Sequence, residues 1–451
     1  MTYEVWIDRR PVGSFTVDVR PGFQNPSMTF SYLDEWLSDD RGFAISPDLP
    51  LQRGPHTPAA HRTTFLSFDD AAPDRWGRGL LEAGMRQQAI QRGIAFKSPT
   101  EIDLLLAVDD ETRQGALRFR KDDKFLAVER ARASIQELPM LARAAQRFAD
   151  SGEIDSEVLE LIGVGSSPGG AQPKAWVRDE DGAMHLAKFP RTSDVVDVSA
   201  WELAVIKLQR RAGIRVQPSS TFPLKEEQSV FLTRRFDRDG NRRIPYMSFK
   251  SAFAVAEYDR PDYATLARKV AAISAKPRTD AAELFSRAAL TAMVHNIDDH
   301  MRNHGLLRDG SGWRLSPSFD VTPSRSGSSN TPLTPEDDPR DRDIRLLVNR
   351  AEDFRLTRDE AVRRIQVVDE AVSRWREDAV ASGVAADALD SMSTAFEGEN
   401  RARAADLRGE QKVTIDLAPA PGLARPVGDV WVKPHTRRGR FVEGHYRRRA
   451  Q

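Results

Sequence analysis

The segment from Met293 to Pro323 restricts this chain more than any other stretch. Leu284, Ala288, Thr291 and Val294 recur at three- and four-residue spacing and predict a helix over residues 281–294. That helix runs into a polar segment, Asn296-x-Asp298-x-His300-x-x-Asn303. Two short strands are expected next, at 305–307 and 313–315, joined by an Asp309-Gly310 turn and followed by Phe319-Asp320-Val321. Asp and Asn at a helix end ordinarily act as caps and turn formers. An acid, an amide five residues on and a second acid after a hairpin also make up half of a phosphoryl-transfer site. One Asp accepts or orients a hydroxyl while the Asn and the later Asp hold Mg²⁺.

A second constellation lies upstream. Gly163, Gly165, Gly169 and Gly170 fall within eight residues and end in Ala171-Gln172-Pro173-Lys174. Glycines let backbone N–H groups approach phosphate oxygens closely. The spacing is neither the P-loop pattern nor a clean G-x-G-x-x-G. The loop opens a two-strand unit, 175–177 and 185–189, whose second strand carries Lys188. A helix over 198–212 follows with Glu202 on it. A lysine on the strand after a glycine-rich loop, paired with a helix carboxylate, is how a kinase-like fold grips ATP phosphates. The absence of H-R-D, and of a Gly after Asp320, separates the chain from eukaryotic-type protein kinases.

At 451 residues the chain is long enough for two or three domains. Lys+Arg and Asp+Glu are equal at 67 each, so no global field draws it to nucleic acid or membrane. With no cysteine it has neither disulfides nor thiolate metal sites, and its eight histidines show no metal-ligand spacing. No apolar run reaches membrane-spanning length and the N-terminus lacks a signal-peptide core, so a cytoplasmic protein is expected. Residues 1–130 alternate as strands at Tyr3, Val5 and Ile7 and at 28–32, with helices near 74–92 and 100–108 and a closing strand at 115–119. They predict an α+β scaffold or interaction module. Residues 323–343 form a Pro/Ser/Asp-rich loop directly after Asp320, and helices are expected over 357–382 and 385–407. The last nineteen residues carry seven basic side chains against one acid and predict a flexible basic tail over 411–451.

The order of parts resembles the HipA family of bacterial serine/threonine kinase toxins from type II toxin–antitoxin systems. The likeness rests on Ser167-Pro-Gly-Gly-Ala-Gln-Pro-Lys174, Lys188-Phe-Pro190, Arg235-Phe-Asp-Arg238, the Asn296 to Asn303 segment, Phe319-Asp-Val321 and the N-terminal module, over roughly residues 1–390. It implies an α+β, two-lobed protein-kinase-like fold. To an N-terminal α+β subdomain (1–130) it adds a small lobe (150–255) and an all-helical C-terminal lobe (256–410). It implies Asp298 as the catalytic acid, and Asn303 and Asp320 as Mg²⁺ ligands. ATP would be bound by Gly169, Gly170, Ala171, Gln172, Lys174, Lys188, His300 and Asn303, with adenine received near Arg234 and Phe236. Glu202 and Asp237 would support the site. Arg234 stands where the family usually has Glu, and Arg302 where a Lys is common. Ser167, or its neighbour Ser166, would be autophosphorylated and so inactivate the enzyme by placing negative charge in the phosphate loop. The implied partners are a small DNA-binding, HipB-like antitoxin and a protein substrate such as an aminoacyl-tRNA synthetase. Two other classes fit parts of the pattern: a small-molecule kinase of the aminoglycoside-phosphotransferase type, and a catalytically silent corepressor.

Overall fold

The structure, a computed structural model, describes all residues except 19–25, 127–132, 153–171, 225–227, 311, 416–428, 433–434, 438–439, 443–444 and 449–451; side chains are described through residue 408. Most of the glycine-rich loop, with Gly163, Gly165, Ser166, Ser167, Gly169, Gly170 and Ala171, lies outside the described residues. Residues 1–405 form one compact unit and residues 406–451 another.

The first module is a five-stranded antiparallel sheet. Its strands are β1 (Thr2–Ile7), β2 (Arg10–Asp18), β3 (Ser27–Tyr32), β4 (Leu117–Lys121) and β5 (Lys124–Phe125), in the order β3-β2-β1-β4-β5. The period-two pattern read from Tyr3, Val5 and Ile7 is the buried face of β1. Phe15, Phe30, Phe65, Phe68 and Phe119 fill the core beneath it. The expected helices are present as Arg75–Gln91, with Asp74 accepting from Gly77 N–H as its cap, and Glu101–Ala107, closed by a Thr100/Asp103 capping box.

The second sheet joins β6 (Lys174–Arg178), β7 (Met184–Lys188), β8 (Ser219–Pro223) and β9 (Ser229–Arg234) in the order β6-β7-β9-β8. Alternation along these strands sorts their side chains. Val177, Ala187, Phe189, Val230 and Leu232 pack on helix Leu138–Ser151, together with Trp76 and Leu80 from the first module. The opposite face carries Lys188 and Phe231, which are direct cross-strand partners, and packs on helix Val198–Arg211 through Leu203 and Ile206. Because the first module lends Trp76 and Leu80 to this core, the two bury one continuous apolar interior.

The remaining lobe is mainly helical. A short pair, β10 (Arg238–Asp239) and β11 (Arg242–Arg243), precedes a three-stranded sheet of β12 (Tyr246–Ser248), β13 (Gly305–Asp309) and β14 (Gly312–Leu315), with helices Tyr263–Ile273 and Pro277–Met293 falling between β12 and β13 in the chain. The β13–β14 hairpin turns at Gly310 with φ +56°, as the Asp309-Gly310 reading predicts. Strand β12 has no counterpart in the sequence reading. The helix expected over 357–382 is two, Arg358–Ser373 and Trp375–Val380. The region 385–407 breaks into two 3₁₀ turns and helices Ser393–Phe396 and Glu399–Ile415. Within residues 406–451, where no strand was expected, Asp429–Val432 pairs with His445–Arg448 and His435–Arg437 with Arg440–Val442. Among the described residues no helix is long and apolar enough to cross a membrane.

Candidate active site

Lys188 and Glu202 are fourteen residues apart in sequence and bonded in the structure. The Lys188 ammonium donates to both Glu202 oxygens, at 2.7 and 2.9 Å, and to Asp320 Oδ1 at 2.6 Å. Strand β7 and helix Val198–Arg211 fix the first pair, and the hairpin brings the second acid to it. Burial works against the charge on Lys188, but the two carboxylates outweigh it and raise its pKa above the ordinary lysine value. Burial would likewise raise Asp320, yet Lys188 holds its carboxyl below the usual carboxylate range. Glu202 is pushed upward by its own burial. Asp320 sits at φ +58°, a left-handed conformation that costs a non-glycine residue energy and persists here because Lys188 fixes its side chain.

These charges line a cleft of about 680 Å³, counting space open to solvent. Its apolar wall is Trp176, Leu186, Ile206, Phe231 and Phe319, and Phe319 stacks on Phe236 with ring centroids 5.4 Å apart. Such a wall suits a planar heterocycle, with the charged end at Lys188 and Asp320. Arg234 lines the cleft, but its N–H donates to Pro218 O at 3.0 Å and is not open to a base.

The Asn296 to Asn303 segment carries the other candidate residues. Asp298 is 69% exposed on its side chain, and His300 Nε2 lies 3.8 Å from its carboxylate. Asn303 Nδ2 donates to the Asp298 carbonyl at 2.8 Å, while Asn303 Oδ1 is buried with no hydrogen-bond partner among the described residues. A buried acceptor without a donor is costly unless a cation or water meets it. One ammonium bonded to both Glu202 and Asp320 also sets a single positive charge against two carboxylates. Both features fit Mg²⁺, which takes one or two protein oxygens and completes its shell with phosphates and water. Asn303 Oδ1 and Asp320 are the residues that would hold it.

Other residues of the sequence pattern are used differently. Lys174 Nζ bonds to Asp74 Oδ2 at 2.8 Å, tying the end of the glycine-rich loop to the cap of a first-module helix. Gln172 donates to Phe189 O at 3.3 Å. Arg235, Asp237 and Arg238 grip the first module. Asp237 accepts from Gly115 N–H at 2.5 Å and from Arg235 at 2.5 and 2.9 Å. Arg235 and Arg238 also donate to carbonyls of Glu111, Thr112, Arg113 and Gly115. Asp237 thus ties the first module to the lobe, at the hinge between them.

The sequence reading missed the buried cluster beneath the loop. Asp299, 2% exposed on its side chain, accepts from Tyr263 O–H at 2.9 Å, from Arg342 Nη1 at 3.2 Å, and pairs with His304 Nε2 at 2.9 Å. The Asp298-Asp299 dipeptide carries the only signal: two adjacent acids in a helix-to-loop corner cannot both face the same way.

A four-stranded sheet with a Lys–Glu pair, an acid-bearing loop and a second acid at a hairpin end are parts of a protein-kinase-like fold, and they make up the candidate site of this chain. Residues 166–375 match the HipA-like C-terminal domain and residues 3–120 the HipA N-terminal domain. The chain belongs to the HipA family. It is 24% identical over 344 residues, 70% of this chain and 76% of the other, to the protein named "Putative kinase Y4mE" of Sinorhizobium fredii (strain NBRC 101917 / NGR234). Its fold is similar to that of HipA from Shewanella oneidensis MR-1, solved with HipB and operator DNA. The TM-score is 0.63 and the identity 15%, covering 92% of this chain and 100% of that one.

Proposed function

We propose that this chain is a HipA-type serine/threonine protein kinase, transferring the γ-phosphoryl group of ATP to a hydroxyl of a protein substrate. The observation that carries the reading is the Lys188 ammonium held between Glu202 and Asp320, at the inner end of an apolar cleft. In this reading Lys188 binds the nucleotide phosphates, and Phe231 and Phe319 flank the base. Bound Mg²⁺ neutralises charge on the phosphates. Asp298 accepts the acceptor hydroxyl's proton as the new O–P bond forms and the bond from the γ-phosphorus to the β,γ-bridging oxygen breaks, with ADP leaving. The exposure of Asp298 supports a macromolecular acceptor, because a folded protein can bring its hydroxyl there without entering the cleft.

Family membership supports the finer parts: an aminoacyl-tRNA synthetase or other translation factor as substrate, growth arrest as the consequence, and autophosphorylation at Ser167 or Ser166 as the off-switch. It also supports a DNA-binding antitoxin resembling HipB as partner, the arrangement named for the Shewanella complex. The test is the intact mass of purified protein after incubation with Mg²⁺-ATP. A phosphate gained by the wild type, absent in Asp298→Asn and lost or moved in Ser167→Ala, is expected. An unmodified wild type that binds ATP but never transfers its phosphate would overturn the kinase reading.

A further inference from the structure

The segment after Asp320 returns to the catalytic loop and is fastened to it at its far end. Arg342, buried at 6% exposure, spreads its guanidinium over three acceptors. Nη2 donates to Thr291 O at 2.9 Å and to Asn296 O at 2.5 Å, and Nη1 donates to Asp299 Oδ2 at 3.2 Å. Thr291 O belongs to the last turn of helix Pro277–Met293, where a cation is favoured, and it also accepts from Asn296 N–H at 2.9 Å. Two further ties run the same way: Thr331 Oγ1 donates to Asp299 O, and His295 Nδ1 lies 2.7 Å from Ser324 O. Arg342 is itself held, because Asn400 Nδ2 donates to its carbonyl at 2.8 Å.

Resting on the phosphotransfer reading, we propose that Arg342 is a positioning residue for Asp298 and Asn303, making the geometry of the acid depend on how the 323–343 segment is seated. The path is short. Arg342 fixes the carbonyls of Thr291 and Asn296 and the side chain of Asp299, and so sets the backbone on both sides of Asp298. Asn303 then reads that backbone through its bond to the Asp298 carbonyl. His295, at φ +51°, marks where the helix path breaks, and a strained corner needs such outside support. A lysine would put a compact ammonium in place of the guanidinium fork and is not expected to hold the same three acceptors. Anything that lifts the segment, whether a bound partner or a modification, would loosen the acid without touching the nucleotide cleft.

The experiment compares wild type, Arg342→Ala and Arg342→Lys in the full chain. ADP formation from Mg²⁺-ATP is measured, which counts transfer to the chain and to water alike, beside the Kd of a fluorescent ATP analogue and the urea midpoint. Arg342→Ala is expected to lose on the order of 100-fold in kcat, the scale of a 1 Å misplacement, while nucleotide affinity stays within about 2-fold. Arg342→Lys should recover only a minor part, and millimolar guanidinium should restore turnover in Arg342→Ala. A kcat within about 2-fold of wild type would overturn the proposal. So would joint loss of turnover, nucleotide binding and urea resistance without guanidinium rescue, which would reduce Arg342 to a structural role. Failure of wild type itself to form ADP would remove the kinase reading and the proposal with it, and is told apart because it needs no variant.

Discussion

Asp298 and Asp299 are adjacent in the chain and face opposite ways: the first is 69% exposed beside His300, the second 2% exposed among Tyr263, His304 and Arg342. Burial alone would raise the Asp299 pKa, but its hydrogen bond to His304, together with the charges of His304 and Arg342, holds it below the ordinary carboxylate range. One acid stays exposed while its neighbour anchors the loop.

The two acids should therefore fail differently. Asp298→Asn is expected to lower phosphoryl transfer by about 10²–10⁴-fold, the contribution of a positioned base, with an unchanged urea midpoint. Asp299→Asn strips charge from a buried cluster and should cost about 3–5 kcal/mol of stability, with activity falling alongside. Parallel urea denaturation and ADP-release assays separate the cases; an equally destabilised Asp298→Asn would contradict the assignment.

Lys188 compensates two carboxylates at once, so Lys188→Met leaves Glu202 and Asp320 facing each other across a buried gap. Nucleotide affinity and stability should drop together. Glu202→Gln keeps one acceptor for the ammonium but weakens a charge-assisted bond. It should raise the Kd for ATP by about 10-fold while the fold holds. Isothermal titration with ATP on both variants reads the difference.

Asn303 Oδ1 has no donor among the described residues, and Asp320 shares the Lys188 ammonium with Glu202. Asn303→Ala and Asp320→Asn are each expected to raise the Mg²⁺ concentration for half-maximal turnover by about 10-fold or more, and chelation should abolish turnover in the wild type. Mg²⁺ titration at saturating ATP is the measurement. An unchanged midpoint in both variants would remove them as metal ligands.

Much of this was legible from sequence because the relevant signals are local. Alternation at Tyr3, Val5 and Ile7 set the β1 face, Asp309-Gly310 marked the hairpin, and Lys188, Glu202 and Asp320, singled out by type and order, are bonded together in the fold. What was not legible depends on distance in sequence. Arg342 lies 43 residues from Asp299, and nothing near it in the chain predicts a guanidinium folded back onto helix carbonyls. Asp74 and Lys174, 100 residues apart, form a buried pair that neither local sequence requires. Strand β12 was missed because its three residues pair with β13, 57 or more positions away, and three residues carry too little periodicity.

The hinge between the first module and the small lobe should be acid-labile. Asp237 is fully enclosed; burial would raise its pKa, but Arg235 and then Arg238 overcome this and hold it at about 2, against an ordinary 3.8. A carboxylate depressed in the folded state stabilises fully above its unfolded value and loses that contribution as pH falls through the folded one. The window is therefore about pH 4 down to pH 2, and the difference is worth about 2 kcal/mol. The pair also holds Gly115 N–H and, through Arg235, the carbonyls of Thr112 and Arg113, so protonation unfastens the first module from the lobe. Urea midpoints measured from pH 7 to pH 2.5 should fall more steeply below pH 4 in the wild type than in Asp237→Asn, which lacks this proton uptake. Asp237→Asn should also start lower at pH 7, by about 3–5 kcal/mol, because it leaves buried guanidinium charge without its partner. Equal slopes in the two proteins would mean that Asp237 is not the titrating group.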